Sequence, residues 1–310
     1  MGFCPGWRRF EVELGRGIAV HVSALTSRGR SWAMLVMGFA VATVVGDAQD
    51  PMFSESRSYE RFMGRWSRQL APLFVRFAEV RDGDRVLDVG SGTGALSAAV
   101  AEQAPSSRII GIDPASSYVA AAQARHGTPL LTFEVGEGQR MHFAAAVFDR
   151  TLSLLVFNFI PDARRALDEM KRVTRPKGIV AAAVWDYGDG MEMLRVFWDE
   201  AVALRPSSAP RDERNMPFCR RGELAAVWRE RGLADVVEEA LTVETRFAGF
   251  DDYWGPFLEK QGPAGAYVAS LAEAERDALR QRLRQRLLDR GADRPIVLRA
   301  RAWAVRGTVG

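Results

Sequence analysis

A glycine-rich stretch in the first third of the chain contains the residue types best suited to binding a ligand. It reads Val86-Leu87-Asp88-Val89-Gly90-Ser91-Gly92-Thr93-Gly94, an apolar run followed by three alternating glycines. Glycine permits positive φ and lets a ligand approach the backbone closely. Free N–H groups at the start of the following helix favour a negatively charged ligand group. The stretch therefore predicts a nucleotide-type loop, and Gly90, Gly92 and Ala95 also fit the G-x-G-x-x-A dinucleotide pattern.

Two acidic residues narrow the choice of ligand. Asp88 lies at a predicted strand end, two residues before the first glycine, where its carboxylate could accept a hydrogen bond from an ammonium group and would repel a pyrophosphate. Asp113 ends the next predicted strand, before Pro114, and is placed to bind a ribose diol, although a NAD site would also want an acid there. A ligand with an amino-acid end and a ribose suits both acids, and S-adenosylmethionine has both groups.

Further motifs follow in an order typical of one enzyme family. They are DVGSGTG at 88–94, IIGID at 109–113, Val135-Gly136-Glu137-Gly138-Gln139, Phe148-Asp149 and Arg172-Val173-Thr174-Arg175-Pro176-Lys177-Gly178. Together these stretches resemble the class I S-adenosylmethionine-dependent methyltransferases. The resemblance is greatest to the small-molecule type that includes the type 11 and ubiquinone-biosynthesis enzymes. It covers about Arg85 to Trp185, roughly a third of the chain.

The resemblance implies which residues hold the cofactor, S-adenosyl-L-methionine. They are Asp88, Gly90, Ser91, Gly92, Gly94, Asp113, Pro114, Glu137, Gly138 and Leu154. Glu137 stands where the family usually has aspartate, so its carboxylate reaches one methylene further. Gly138 and Gln139 replace the family's usual Ala-Glu pair. The adenine contact is therefore where this chain departs most from the family pattern.

Methyl transfer from a sulfonium is an in-line displacement, in which the protein chiefly aligns the two reactants and excludes water. We therefore assign no catalytic side chain. Asn158, after the fourth strand of the predicted core, could lie near the donor methyl, but an ordinary loop asparagine is the simpler interpretation. His126 and His142 could each act as a base, but the sequence shows no matched partner residue for either. No metal-ligand spacing appears, and no metal is expected.

Aromatic residues before the glycine-rich stretch permit two interpretations. Tyr59, Phe62 and Trp66 could cover the cofactor, because aromatic faces attract cations such as sulfonium. Their helical spacing is explained more simply by burial in the core. We also expect Pro72 to break this helical run into two pieces, because proline cannot donate a hydrogen bond to the preceding turn.

The elements that must position these residues alternate regularly. Strands are predicted at 86–89, 108–112, 130–135, 151–156 and 179–185, with helices at 95–103, 116–125 and 163–173 between them. Such alternation is typical of parallel strands joined by crossover helices. We predict an α/β fold with a doubly wound, Rossmann-like, seven-stranded sheet. Its helices lie on both faces, its last strand is antiparallel, and a helical insertion precedes that strand.

The domain prediction separates residues 1–51, a poorly ordered or doubtful N-terminal extension, from a methyltransferase domain at 52–310. The extension contains the apolar run Trp32–Gly46, which is short for a membrane span. A translation start upstream of Met52 is the favoured explanation, and a signal or anchor the alternative. Within the domain, 52–80 form cap helices, 85–185 the cofactor-binding core, and 186–310 the substrate-side helices and last two strands.

Composition excludes several classes of protein. The 310 residues are 47% hydrophobic and 26% charged, which is ordinary for a globular domain. The 42 basic residues nearly balance the 39 acidic ones, so no nucleic-acid partner is expected. Two cysteines predict no disulfide framework and fit a reducing, cytoplasmic setting. We expect no stable membrane insertion and one partner, a small-molecule methyl acceptor.

Two alternative functions remain open from the sequence. The dinucleotide-like glycine pattern also fits an NAD(P)-dependent oxidoreductase with a Rossmann fold. A non-catalytic cofactor-binding protein would have the same fold, since fold alone does not fix function. The acceptor molecule, its reacting atom and the oligomeric state are not predicted.

Overall fold

The computed structural model describes residues 7–14, 18–25 and 60–310. The chain divides into two units, Met1–Asp47 and Ala48–Gly310. In the first unit, strands β1 (Trp7–Leu14) and β2 (Ile18–Leu25) form an antiparallel hairpin. The apolar run at 32–46 and Tyr59, both singled out above, lie outside the described residues.

The second unit is built on a seven-stranded sheet with the order β5-β4-β3-β6-β7-β9-β8. The strands are β3 (Arg85–Val89), β4 (Arg108–Asp113), β5 (Leu131–Val135), β6 (Phe148–Leu154), β7 (Thr174–Trp185), β8 (Ala234–Phe247) and β9 (Ile296–Thr308). Strands β3 to β7 are parallel, whereas β9 is antiparallel to both its neighbours, β7 and β8. The doubly wound, Rossmann-like sheet with an antiparallel last strand is thereby confirmed.

Helices connect the strands and cover the sheet. They are α1 (Arg65–Phe77), α2 (Ala95–Gln103), α3 (Ser116–His126), α4 (Ala163–Val173), α5 (Glu192–Leu204), α6 (Glu223–Glu230), α7 (Phe250–Trp254), α8 (Gly262–Ala269) and α9 (Glu273–Leu288). A π-helical turn, Glu60–Gly64, leads into α1. Helices α7, α8 and α9 form the insertion that the sequence predicts before the last strand.

The strand directions place six carboxyl ends at one edge of the sheet. Because β9 runs against both β7 and β8, β8 has the same direction as β3 to β7. Strand β6 is the central strand of the seven, and it is buried along its whole length. Open α/β sheets bind ligands at this carboxyl edge, where the strand order reverses between β3 and β6.

The prediction that Pro72 divides the first helix is wrong. Helix α1 is continuous from Arg65 to Phe77 with Pro72 inside it. One side of α1 is completely buried through Trp66, Leu70 and Phe74, and this packing outweighs the single backbone hydrogen bond that proline removes. Gln103 in α2 donates to the Pro72 carbonyl at 3.3 Å.

Two strand boundaries also differ from the sequence prediction. Strand β6 begins at Phe148 and ends at Leu154, not at Val156, because Leu155 turns out of the strand with φ 64°. Strand β7 begins at Thr174, five residues before the predicted start at 179. Among the residues that the structure describes, no helix has both the length and the apolar character needed to cross a bilayer.

Candidate cofactor and acceptor site

The glycine loop follows β3 at the carboxyl edge of the sheet. Gly90, Gly92 and Gly94 have positive φ values of 75°, 52° and 89°, which L-residues with side chains rarely adopt. The N–H groups of Gly90 and Ser91 both donate to the Ile112 carbonyl, at 2.8 and 2.9 Å. These bonds hold the loop against the end of β4 and direct the chain into α2.

The three glycines meet different surroundings. A Cβ at Gly90 would lie 2.5 Å from a Val156 methyl group, and one at Gly94 would lie 3.0 Å from both His126 and Phe133. A Cβ at Gly92 would meet nothing within 4 Å. The loop is therefore packed against protein at both ends and open at its middle, where a ligand can approach the backbone.

Asp88 lies beneath this loop with only 1% of its surface exposed. Its Oδ2 accepts hydrogen bonds from the Ser97 N–H at 3.1 Å and the Ser97 hydroxyl at 2.6 Å, so Asp88 caps the first turn of α2. Its Oδ1 is buried and has no hydrogen-bond partner among the described residues. Burial raises the pKa of Asp88 to about 7, despite the two bonds from Ser97.

Asp113 joins the glycine loop to the start of α3. Its Oδ2 accepts from the Gly92 N–H and its Oδ1 from the Ala115 N–H, both at 2.9 Å. Burial raises the pKa of Asp113, and its charge contributes in turn to the raised pKa of Asp88. Pro114, which follows, is exposed. The structure thus places one carboxyl group, Asp88 or Asp113, on each side of the loop.

The remaining predicted cofactor residues lie at neighbouring strand ends. The turn after β5 contains Glu137, which is exposed, and Gly138, where a Cβ would lie 3.0 Å from Val89 at the end of β3. Leu154 ends β6 and is 7% exposed. The hydroxyl of Ser91 is buried without a partner in the described part of the chain. All ten predicted residues therefore belong to the loop or to the turns and strand ends beside it.

No sequence motif points to Glu60, although this residue covers the glycine loop. The Glu60 carboxylate, in the turn before α1, accepts a hydrogen bond from the Thr93 hydroxyl of the loop. It also forms ion pairs with Arg68 and, at 3.6 Å, with Arg125. No local pattern marks Glu60, because its partners come from α1, the glycine loop and α3.

The aromatic residues of the cap belong to the core. Phe62 and Trp66 are 2% and 0% exposed. The Phe62 ring lies 5.6 Å from that of Phe257 in the insertion, and Trp66 lies 6.0 Å from Phe247 at the end of β8. The turn before α1 therefore packs against the insertion, and α1 packs against β8, so that together they enclose this edge of the sheet.

The other candidate side chains are distributed around this region. Asn158 lies in a short 3₁₀ turn after β6, buried, with both amide atoms unpartnered among the described residues. His126 ends α3 beside Gly94, whereas His142 is exposed and lies 3.4 Å from Glu134. Within residues 60–310 and the two N-terminal strands, no group of three His, Cys, Asp or Glu residues is arranged to hold a metal.

Comparison with known proteins gives matches in both sequence and fold. Residues 87–182 match the family model described as a methyltransferase domain. The chain is 28% identical over 214 residues to the uncharacterized protein Rv1405c of Mycobacterium tuberculosis, covering 67% of this chain and 77% of the relative. It is 30% identical over 166 residues to malonyl-[acyl-carrier protein] O-methyltransferase of Geobacter sulfurreducens, covering 53% and 61%.

Solved structures share the fold at low sequence identity. The YcgJ protein of Bacillus subtilis superposes with a TM-score of 0.50 at 18% identity, covering 77% of this chain and 97% of that one. Phosphoethanolamine N-methyltransferase 2 of Haemonchus contortus, in complex with S-adenosyl-L-methionine, gives a TM-score of 0.50 at 18% identity and covers 94% and 63%. Together with the order of strands, these findings show a match to a methyltransferase domain at residues 87–182 and a Rossmann-like fold shared with these solved structures.

Proposed function

We propose that this protein transfers a methyl group from S-adenosyl-L-methionine to a small-molecule acceptor by in-line displacement. The observation that carries the proposal is the open glycine loop between two buried carboxyl groups. Gly92 leaves space beside its backbone, and two buried polar atoms at the loop, Asp88 Oδ1 and Ser91 Oγ, have no partner among the described residues. Buried polar atoms are normally satisfied, so these two fit contacts to a ligand.

The arrangement supports a division of roles among the ten residues. Asp88 Oδ1 receives the ammonium group of the cofactor, and the loop around Gly90, Ser91, Gly92 and Gly94 receives its carboxylate. Asp113 and Pro114 face the ribose, since Asp113 is the acid at the end of the second strand. Glu137 and Gly138 contact the adenine, and Leu154 forms an apolar wall. These assignments are predictions from position and chemistry.

The electrostatics favour this cofactor over a pyridine dinucleotide. Asp88 and Asp113 are 1% and 6% exposed, so both carboxyl groups act at low local dielectric. A diphosphate would add negative charge beside them, whereas an ammonium group would compensate it. The two carboxyl groups would therefore repel the diphosphate of a pyridine dinucleotide, but not the amino-acid tail of S-adenosyl-L-methionine.

When bound, S-adenosyl-L-methionine supplies a methyl group on a positively charged sulfur. The protein's residues orient this donor and exclude water. Glu60 covers the loop through Thr93, and the packed rings of Phe62 and Phe257 close the edge behind it. No general base is assigned, because one is needed only when the acceptor must lose a proton. Two cysteines in the whole chain agree with a cytoplasmic setting, which is part of the proposal.

Calorimetric titration with S-adenosylmethionine and S-adenosylhomocysteine tests the proposal, with a matching NADH titration followed by fluorescence. We expect the two sulfur ligands to bind and NADH not to bind. Asp113→Asn should weaken binding at least about tenfold, because a charge-assisted hydrogen bond to the ligand is lost and the amide nitrogen cannot accept the N–H of Gly92 or Ala115 that it would face. Asp277→Asn, at an exposed position on α9, is the matched control and should bind like the wild type.

Three outcomes would change the conclusion. A folded protein that binds neither sulfur ligand contradicts the proposal, and NADH bound at the loop would favour the oxidoreductase alternative. Incubation with labelled S-adenosylmethionine and a metabolite extract should give a labelled small molecule. Binding without any transfer in that experiment would instead support a non-catalytic cofactor-binding protein.

A further inference from the structure

The short turn after the central strand contains a buried amide group without partners. Asn158 lies in the 3₁₀ turn Phe157–Phe159 and is 6% exposed. Neither its amide nitrogen nor its amide oxygen has a hydrogen-bond partner among the described residues. Buried side-chain amides are normally paired, because an unpaired donor or acceptor keeps its full cost of desolvation. The Asn158 side chain can therefore still both donate and accept hydrogen bonds.

The chain segment that contains Asn158 lies against the glycine loop. A Cβ at Gly90 would lie 2.5 Å from a Val156 methyl group, so Val156 packs directly on the first glycine of the loop. Asn158 follows two residues later, after β6 has ended at the carboxyl edge of the sheet. Its backbone is therefore beside the proposed cofactor site.

The direction of the Asn158 side chain follows from those of its neighbours. The Phe157 ring lies 5.1 Å from the Trp228 ring of α6 and 5.5 Å from the Phe218 ring, so Phe157 packs toward α6. Consecutive side chains of a 3₁₀ turn are about 120° apart. Phe159, on the third side of the turn, is partly exposed. Asn158 is thus directed neither into the packing of α6 nor to solvent, and it is buried at the ligand-binding edge.

Backbone strain in the residue after β6 also indicates a functional segment. Leu155 has a φ of 64°, in a region that residues with side chains rarely adopt. Its N–H donates to the Ala183 carbonyl at 2.8 Å, which holds it against β7 while the chain turns. Strain of this kind is concentrated at active sites and ligand contacts. Here it directs residues 156–160 along the carboxyl edge of the sheet.

We propose that the Asn158 amide binds the methyl acceptor through a pair of hydrogen bonds, and this inference rests on the proposed function. Its N–H and C=O groups project from one carbon atom, so they match a planar group that presents an acceptor and a donor side by side. An uncharged carboxamide or lactam has this arrangement. A carboxylate only accepts hydrogen bonds and would place negative charge against the Asn158 oxygen. The acceptor is therefore a small molecule with an uncharged amide-type group.

The order of strands favours the acceptor over the cofactor as the partner of Asn158. The predicted ribose and adenine contacts follow β4 and β5, on one side of the β3 loop, whereas Asn158 follows β6 on the other side. The turn after β5 meets this segment at Ile160, which would lie 3.6 Å from a Cβ at Gly138. Asn158 is not among the atoms nearest to that position. Its amide is therefore available to the second reactant.

The test uses the full-length protein saturated with S-adenosylhomocysteine and three probes. They are δ-valerolactam, which presents N–H and C=O on one edge, N-methyl-δ-valerolactam, which lacks the N–H, and the anion propanoate. Ligand-observed nuclear magnetic resonance measures each affinity for the wild type and for Asn158→Leu, with exposed Asn215→Leu as the matched control. The wild type and the control should bind δ-valerolactam about tenfold more tightly than the other two probes. Asn158→Leu should lose this preference.

Stability separates a ligand contact from a structural one. Leucine is similar in size to asparagine and removes the unpaired polar atoms, so Asn158→Leu should raise the thermal midpoint by roughly 2–4 °C. An amide that supported the fold through a buried water would instead give a lower midpoint in this variant. The affinity for S-adenosylhomocysteine should stay unchanged.

The inference is overturned if the wild type does not prefer δ-valerolactam, if Asn158→Leu keeps that preference, or if the midpoint of this variant falls. Equal losses of S-adenosylhomocysteine and δ-valerolactam affinity in Asn158→Leu would assign the amide to the cofactor and would also overturn it. The proposed function fails separately if S-adenosylhomocysteine does not bind the wild type. In that case Asn158-dependent lactam binding would still establish a ligand site, but not a methyl-acceptor site.

Discussion

At the scale of single residues, Asp88 combines a structural contact with a proposed functional one. One oxygen caps α2 through Ser97, and the other is buried without a partner among the described residues. A carboxyl group in this position is costly to ionise, which is why burial raises its pKa to about 7. A cationic ligand would lower that cost, so cofactor binding and ionisation of Asp88 should be coupled.

This coupling predicts that affinity for S-adenosylhomocysteine depends on pH. Because the pKa of Asp88 is about 7, the affinity should rise from pH 6 through pH 7 and level off about one pH unit above that pKa. Asp88→Asn should weaken binding and make the pH profile flatter, though not flat, because burial also raises the pKa of Asp113. Calorimetric titrations at pH 6, 7 and 8 measure the profile. An unchanged profile in Asp88→Asn would exclude Asp88 as the coupled group, and Asp277→Asn is the control.

A comparison of Gly92, in the glycine loop, with Gly83, in the turn before β3, separates steric contact with the ligand from backbone strain. Gly92 and Gly83 both have positive φ, 52° and 87°, and at each a Cβ would meet nothing within 4 Å. Alanine at either position should cost about 1–2 kcal/mol of stability, from strain alone. Only Gly92→Ala should also weaken S-adenosylhomocysteine binding, because its methyl group occupies the space proposed for the ligand. Equal affinities of the two variants, measured by calorimetry, would contradict that placement.

At the scale of elements, the alternating core was predictable and the contacts between distant elements were not. Strands β3 and β4 and helix α2 follow from apolar runs and glycines that are adjacent in the sequence. Asp88 and Asp113 lie at the carboxyl ends of these two strands, so the sequence alone predicts that both residues are at one edge of a parallel sheet. The continuity of α1 through Pro72 depends on packing against the sheet, which no local pattern contains.

The cover of the site illustrates the same limit. The contact between Glu60 and Thr93 joins residues 33 positions apart, and the one between Gln69 and Thr245 joins residues 176 positions apart. Both depend on how α1 lies across the sheet from α2 to β8. The aromatic spacing of α1 predicts a buried face, but not that its partners are Phe247 and Phe257 in the last third of the chain.

Phe257, in the insertion, contacts both the turn before α1 and helix α5. Its ring is fully buried, stacks on Phe197 at 4.5 Å and contacts Phe62 at 5.6 Å. Phe257→Ala should therefore lower the free energy of unfolding by about 3–5 kcal/mol. Leu258→Ala, at a neighbouring position that is 47% exposed, should change it by less than about 1 kcal/mol. Urea denaturation of both variants tests this, and equal effects would contradict the assigned packing.

At the scale of the whole molecule, the part of the chain after β7 contains a further buried acid with a raised pKa. Glu213 is 3% exposed, and its Oε2 accepts a hydrogen bond from Trp198 Nε1 at 2.5 Å. Nearby, Arg195 is paired with Asp212 at 2.5 Å, so Arg195 compensates Glu213 only partly. Burial raises the pKa of Glu213 to about 7, while the Trp198 hydrogen bond and Arg195 act in the opposite direction. The ionisation of Glu213 is therefore linked to global stability.

The direction of this linkage follows from the raised pKa. A carboxyl group that holds its proton more tightly when folded stabilises the folded state at low pH, and this contribution is lost as pH rises to about 7. Glu213→Gln, which cannot ionise, should gain roughly 2–3 kcal/mol relative to the wild type between pH 5 and pH 8. Asp88 contributes equally to both proteins, so their difference isolates Glu213. Urea denaturation across this pH range measures it, with exposed Glu239→Gln as control. A difference that does not vary with pH would show that Glu213 ionises in the folded protein as it does in the unfolded chain.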